Sequence, residues 1–286
     1  MPSRFRQETR GALRRAVGNL MFRGAFMYDT VLASPAPTSS TFALNKAKRY
    51  PSGSFVGRVA YVVSGTGAGQ SSGVSVSTTG TGVLTVVPSL GTTLDATSVV
   101  EIWPESLDPD SVNQALDMAL RDVEEICQIR TDIANPTLDS SFTKITVPAT
   151  LTKIIDVTYM DAGNNWIPYA HARYSNQLTE LWRGFTIRNG LISLSEPISS
   201  SIAGSNILVR GYRLPNALIA DTDLCEINPA FMVYKAAFLL EAGEAGGSSV
   251  DPEQHSGRAA NWLRDALQIR ESMGTSWEPG TMELDV

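Results

Sequence analysis

The sequence predicts an α+β protein: a helical core of one long helix and two C-terminal helices, with an antiparallel β-unit and a separate small β-sandwich- or barrel-like module. Three observations predict it. Residues 50–103 are rich in Gly, Ser, Thr and Val and almost free of charge, the composition of short strands joined by tight turns. Residues 112–127 carry apolar side chains at helical spacing. An Asx-Pro pair stands before a helical stretch three times, at Asp108–Pro109, Asn228–Pro229 and Asp251–Pro252. The Asx side chain can accept from the first-turn N–H groups, and proline fits the first helical position because no N–H is needed there.

Taken in order, Ser3 to Phe22 reads as an amphipathic helix. Phe5, Ala12, Leu13, Ala16, Val17 and Leu20 recur at helical spacing with arginines between them. Pro35 and Pro37 make Ala33 to Ser40 a linker. The stretches FVGRVAYVV, GVSVSTT, GVLTVV and TSVVEIW read as strands, separated by SGTGAGQSSG, TGTG and PSLGTTLDA. From Asp108, Val112, Ala115, Leu116, Ala119, Leu120, Val123, Ile126 and Cys127 line one helix face, and Asn135–Pro136 lies just beyond its end. Residues 142–214 return to strands: KITVPA, KIIDVTYMD, WIPYAHARY, GFTIRNG, LISLSEPI and NILVRGYRL, with Leu178 to Trp182 as a short helical piece. The helix after Asn228 is apolar almost all round, which predicts burial. The last helix has an apolar face of Ala259, Trp262, Leu263, Ala266, Leu267 and Met273. The tail that follows shows no periodicity. The expected division is an arm (1–32), a linker (33–49), a β-module (50–104), a helix–β–helix–helix domain (105–274) and a tail (275–286).

The length, 286 residues, suits one large domain or two ordinary ones. No apolar run approaches the roughly 18 residues that span a bilayer. The Arg-rich start lacks the apolar run of a secretory signal. Two cysteines, Cys127 and Cys225, are expected as buried thiols. The net charge of −6 divides unevenly: residues 1–58 carry +8 and the remainder −14. A basic head on an acidic body suggests a negative partner, nucleic acid or an acidic protein surface, unless the charges only solvate a helix. The candidate partner-binding residues are Arg4, Arg6, Arg10, Arg14, Arg15 and Arg23 in the arm, and Trp277, Met282 and Leu284 in the tail.

No catalytic, cofactor-binding or metal-binding residue emerges. Gly69-Gln70-Ser71-Ser72-Gly73 matches the G-x-S-x-G nucleophile elbow, but that turn joins a strand to a helix, and here a strand-like VSVSTT follows. Only His171 and His255 are available as a base. Gly65-Thr66-Gly67-Ala68-Gly69 lacks the third glycine, the Lys-Ser/Thr pair and the following helix of a phosphate cradle. The two His and two Cys have no ligand spacing, so neither a metal nor a cofactor is expected.

Two stretches carry a family resemblance. The module from Gly57 to Trp103 joins a G-x-G-x-G-Q loop (Gly65 to Gln70), Thr79 to Val86, Pro88, an Asp95-Ala96-Thr97-Ser98 turn and a Glu101–Ile102 strand. It resembles a β-module found in many phage structural proteins, and departs from it in carrying Ser71 and Ser72 where a basic residue is common. Residues 108–273 are similar in plan to tailed-phage head-to-tail adaptors: a long helix, a β-unit opening with KITVPATLTKIIDVTYMD, the run Gly211-Tyr212-Arg213-Leu214-Pro215, then two helices.

The resemblance implies a structural virion protein of the neck, not an enzyme. It would form a homo-oligomeric ring, a dodecamer, that connects the portal protein to a downstream tail or nozzle protein. Passing genomic DNA would run through the ring without sequence-specific binding, and no membrane would be involved. The location implied is the virion neck, with host cytoplasm during assembly. The residues fit: an acidic body would not grip DNA, long helices can pack side by side around a ring, and Trp277 can anchor in a partner. Two alternatives stay open. One is a tail-associated or host-recognition and decoration protein that uses the β-module to bind glycan or protein. The other is a DNA-binding role for the arm.

Overall fold

The computed structural model describes residues 7–22, 26–105, 107–124, 129–141, 143–160, 165–171, 184–196, 207–246, 252–273 and 282–283. The protein is α+β, with two sheets, and divides into two units: residues 1–121 with 217–272, and residues 122–216 with 273–286.

The first unit contains helix α1 (Arg10–Met21) and six strands: β1 (Met27–Thr30), β2 (Thr41–Ala43), β3 (Val59–Ser64), β4 (Ser71–Ser77), β5 (Val83–Val87) and β6 (Val99–Trp103). The strands form one antiparallel sheet in the order β1-β6-β3-β4-β5-β2. Its two edges meet. Val31 bridges Leu44, and the Leu32 N–H donates to the Ala43 carbonyl at 2.8 Å. The curled sheet encloses Phe42, Val62, Val74, Leu84, Val86, Val100 and Ile102. Alternation in β3 and β5 sends every second side chain inward, as a strand with one buried face requires.

Two strands of this sheet come from segments expected as arm and linker. Strands of three and four residues are too short to display a period, so β1 and β2 escaped the pattern. A 3₁₀ turn, Lys46–Arg49, follows β2. The first helix also differs from expectation, beginning at Arg10 and not Ser3. Thr9 caps it, its hydroxyl accepting from the Ala12 N–H at 3.2 Å. The residues just before are engaged as extended chain: Thr9 bridges Leu224, and the Cys225 N–H donates to the Glu8 carbonyl. Gly18 lets α1 lie close to β1 and β6; a Cβ there would stand 2.8 Å from the Phe26 ring and 2.9 Å from that of Trp103.

Helices α2 (Pro109–Glu124), α3 (Pro229–Gly246) and α4 (Pro252–Met273) each begin at the proline of an Asx-Pro pair. Asp108 accepts from the Ser111 N–H at 2.6 Å and Asn228 from the Ala230 N–H at 3.0 Å; Asp251 lies outside the described residues. Val112, Leu116, Ala119 and Val123 of α2 are fully buried, as their spacing predicts, while Ile126 and Cys127 lie outside the description. Burial of α3 is less complete than its composition suggests. Phe231, Met232, Ala236 and Ala237 are buried, but Phe238, Leu239 and Leu240 are partly exposed. On α4 only Ala259 and Ala266 are buried; Trp262 and Leu263 are partly exposed and Leu267 is exposed. Among the described residues no helix is long and apolar enough to cross a membrane.

The second unit is an eight-stranded sheet: β7 (Ile129–Ala134), β8 (Lys144–Thr146), β9 (Lys153–Met160), β10 (Trp166–His171), β11 (Gly184–Arg188), β12 (Leu191–Leu194), β13 (Ile207–Arg213) and β14 (Met282–Glu283). Its main path runs β7-β13-β9-β10-β11-β12-β8, and β14 pairs with β9. Among the described residues all pairings are antiparallel except β10 with β11, which is parallel over two residues. Val157, Tyr169, Phe185, Ile192, Ile207 and Val209 build its core. The R-N-G turn between β11 and β12 places Asn189 and Gly190 at positive φ, as a tight two-residue hairpin turn requires. Gly211 admits the close approach of β9: a Cβ would lie 2.3 Å from the Lys153 carbonyl. The expected helical piece at Leu178 to Trp182 lies outside the described residues.

A pair of glycines separates backbone strain from collision. Gly65 (φ +80°) and Gly80 (φ +79°) share a left-handed conformation, but a Cβ on Gly65 would lie 2.1 Å from the Thr97 carbonyl, whereas Gly80 faces open space. Gly80→Ala should cost about 1 kcal/mol, from strain alone. Gly65→Ala should cost clearly more, on the order of 3 kcal/mol or above. Urea midpoints of the two variants measure the difference.

Candidate functional site

A cluster of charge in the first unit surrounds Arg14. It sits on the face of α1 that lies over β6 and is 2% exposed. Its Nε and Nη2 donate to the two oxygens of Glu101 at 3.0 and 3.1 Å. Nη1 and Nη2 donate to the two oxygens of Asp221 at 2.5 and 2.6 Å, and Nη1 also reaches Asn113 Oδ1 at 3.2 Å. One guanidinium therefore joins α1, β6, α2 and the segment that precedes α3.

Strand β6 explains how Glu101 comes to be fully buried. Val100 and Ile102 point into the sheet core, while Glu101 and Trp103, two apart, share the opposite face beneath α1. The Trp103 indole N–H donates to Glu101 Oε2 at 3.0 Å, and Arg15 stands 3.7 Å from Oε1. A buried carboxylate with two cations and an indole donor is fully partnered, the condition under which a buried charge is tolerated. Burial alone would lower the Arg14 pKa; hydrogen bonds and charge from Asp221 and Glu101 outweigh it and raise the value, so the guanidinium stays charged. Burial would raise the Asp221 pKa, and the hydrogen bond and charge of Arg14, with Arg10 and Arg15 nearby, hold it below the usual carboxylate range.

Beside this network lies an open cavity of about 340 Å³, lined by Arg10, Tyr61, Gln70, Asp110, Asn113 and Asp221 among others. Burial, with the charges of Asp108 and Asp110, pushes the Tyr61 pKa up. The wall carries both charge signs, so it favours neither an anion nor a cation.

The motif residues of the β-module meet in the loop after β3 and the turn before β6. The Thr66 hydroxyl donates to Asp95 at 2.6 Å, the Thr97 N–H to Asp95 at 2.8 Å, and the Ser98 hydroxyl to the Thr66 carbonyl at 2.7 Å. The Thr92 N–H donates to the Gln70 side chain at 3.1 Å. The G-x-G-x-G-Q loop and the D-A-T-S turn are thus two halves of one buckle. Side-chain hydrogen bonds from Thr66 and Thr97, then the Thr97 backbone, bring the Asp95 pKa down to about 2. The G-Q-S-S-G motif has no nucleophile geometry. Ser71 and Ser72 lie in β4, and the buried Ser72 hydroxyl donates to the Pro88 carbonyl. Each histidine has its own partner: His255 Nδ1 is 3.0 Å from the buried Glu241, which Arg258 also approaches, and His171 stands edge-on to Phe185. Among the described residues no cluster of His, Cys, Asp or Glu could hold a metal ion. Cys225 is buried, and burial pushes its thiol pKa up to about 11.

The expected partner-binding residues fare differently from one another. Arg14 is not available to a partner, because its charge is consumed by Glu101 and Asp221. Arg10 donates to the Ile219 carbonyl and pairs with Asp117 at 3.5 Å. Arg15 faces Glu101 and stacks over Tyr28. Three of the six arginines in the expected basic arm are therefore held within the first unit. Arg4, Arg6, Arg23, Trp277 and Leu284 lie outside the described residues, and Met282 lies in β14. Sequence reasoning missed Glu101, Asn113 and Asp221. A lone acid inside the apolar run V-V-E-I-W was a signal of a buried cationic partner. No protein-family model matches the chain, and no curated protein matches it.

Arg14→Ala should lower unfolding stability by about 3–5 kcal/mol, because it strands Glu101. Arg14→Lys should rescue only part of this, since an ammonium cannot make both bidentate pairs. Both are read from urea midpoints. The acid limb gives a second measurement. Asp95 and Asp221 have depressed folded-state pKa values, so their contribution is complete above the unfolded carboxylate value near 3.9 and is lost as pH falls below it. Asp95→Asn should make the fall in stability between about pH 4 and pH 2 shallower than in the unaltered protein.

Proposed function

We propose that the chain is a structural component of a tailed-phage neck, a head-to-tail adaptor. Its copies form a ring, a dodecamer, that joins the portal to the tail and continues the DNA channel. The observation that carries this reading is the pair of C-terminal helices. α3 is apolar by sequence and α4 carries an apolar face, yet both are only partly covered by their own chain. Leu263 and Leu267 stand at i and i+4 on α4, the spacing that aligns side chains into one stripe, and Leu267 is 42% exposed. Exposed apolar helix surface of this kind is normally covered by another subunit. The order of elements adds support: α2, then the second sheet, then α3 and α4, as in the adaptors the sequence resembles. The rigid buckle in the β-module suits a wall or spacer, and the internal partners of Arg10, Arg14 and Arg15 weigh against a DNA-gripping arm.

The test is direct. The purified chain is mixed with portal particles and imaged by negative stain. A ring seated on the portal is expected, and a fibre-like trimer, or no association, would sink the proposal. Leu267→Glu should retain the circular dichroism of the unaltered chain and lose at least about tenfold in ring yield, since a charge on the stripe opposes its burial between copies.

A further inference from the structure

The outer face of β3 lines the open cavity beside Arg14. Ala60 and Val62 point into the sheet core, so Tyr61 between them faces the other way. Tyr61 stands opposite Glu101 in the β3–β6 pairing, one strand away from the buried ion pairs. The first turn of α2 adds Pro109, Asp110 and Asn113 to the wall, and the residue before β4 adds Gln70. Arg10 of α1 and Ile219 complete it, and all of these residues belong to the first unit. The volume, about 340 Å³, stands at the small end of the range of small-molecule sites, about 300–1,000 Å³.

Some polar groups of this wall are already engaged and others are not. The Arg14 guanidinium is taken up by Glu101, Asp221 and Asn113, and Arg10 Nη1 and Nη2 by the Ile219 carbonyl and Asp117. Asn113 accepts from Arg14 through Oδ1, which leaves both N–H groups of its amide. Gln70 accepts from the Thr92 N–H through Oε1, which leaves its amide N–H groups likewise. The Tyr61 hydroxyl and the Asp110 carboxylate make no hydrogen bond among the described residues, and Arg10 Nε is buried without a partner. One small space is therefore lined by amide, phenol and guanidinium donors together with a carboxylate acceptor.

A ligand suited to this wall gives and receives hydrogen bonds and carries no net charge. A phosphate or carboxylate would meet Asp110 and Asp221, and an ammonium would meet Arg10. A sugar hydroxyl donates and accepts at once, so neighbouring hydroxyls of one ring can satisfy a carboxylate and an amide together. The Tyr61 ring, Pro109 and the exposed Ile219 give apolar surface for the C–H face of a pyranose. We propose that the cavity over β3 binds a neutral sugar ring. Asp110 accepts from its hydroxyls, and the amides of Asn113 and Gln70 and the Tyr61 hydroxyl donate to its oxygens. The open mouth admits the end of a longer glycan as well as a free monosaccharide. A neck ring and a host-contacting protein can each carry such a site, so the inference stands apart from the neck reading.

The full chain, isotope-labelled on nitrogen, is titrated with D-glucose, D-galactose, D-mannose and N-acetyl-D-glucosamine. Each is taken to about 50 mM, past the millimolar range of weak binding. The side-chain amide signals of Asn113 and Gln70 are followed by NMR, and at least one sugar should shift both to saturation. Tyr61→Phe removes the hydroxyl and keeps the ring, and Asp110→Ala removes an exposed carboxylate. Both variants should retain the circular dichroism of the unaltered chain and bind that sugar at least about fivefold more weakly. Inorganic phosphate and ethylammonium at the same concentration should leave both signals in place. Methyl glycosides separate the two sources: a site for a glycan end holds the glycoside as tightly as the free sugar, and a site for a free monosaccharide loses it. No saturable shift with any of the four sugars would overturn the proposal. So would undiminished affinity in both variants, or an equal response to phosphate or ethylammonium.

Discussion

A guanidinium buried between two carboxylates is where the first unit is assembled. Charge taken out of water is costly, and the cost is recovered only if every donor finds an acceptor in good geometry. Arg14 meets that condition with partners from three separate segments: Glu101 on β6, Asn113 on α2 and Asp221 before α3. Those segments lie 87, 99 and 207 residues away along the chain. None can shift without leaving a buried charge short of a partner. The network therefore sets the register of α1 on the sheet, of the returning chain beside it, and of the first turns of α2. Gly18 and Trp103 supply the close contact that brings the helix within reach.

Which parts of this were legible from the residues follows from how local their causes are. The three Asx-Pro starts were readable because a cap is a matter of adjacent residues. The apolar stripe of α2 was readable because its period repeats over four turns. β1 and β2 were not, since three or four residues carry no period and their pairing is decided by strands far along the chain. The arginines of α1 were legible as charges but not as partners. Nothing in the first 58 residues says that Arg14 will meet Asp221. Glu101 was the readable half of the pair, an acid set between valine and isoleucine. The tail strand was missed for want of length: β14 is two residues long and pairs with β9 far back along the chain.

The β-module's motif has a physical meaning separate from any chemistry. Its glycines, its glutamine and its D-A-T-S turn converge on one buckle that fastens the loop after β3 to the turn before β6. Its serines stand in a G-x-S-x-G frame but lie in β4, where the Ser72 hydroxyl donates to the Pro88 carbonyl. The proposed neck role draws more on α3 and α4, where Phe238, Leu239, Leu240, Trp262 and Leu263 are partly exposed and Leu267 is exposed.

The change of partner in β10 also bears on how the second unit transmits load. The ladder of β7, β13 and β9 is joined to that of β11, β12 and β8 through one strand, and the join lies at the single peptide between Tyr169 and Ala170. Tension along β10 passes through covalent bonds, whereas tension across it meets, among the described residues, a two-residue parallel pairing on the β11 side. The sheet should therefore be stiff in one direction and compliant in the other, bending along the line of β10 like a page at its crease.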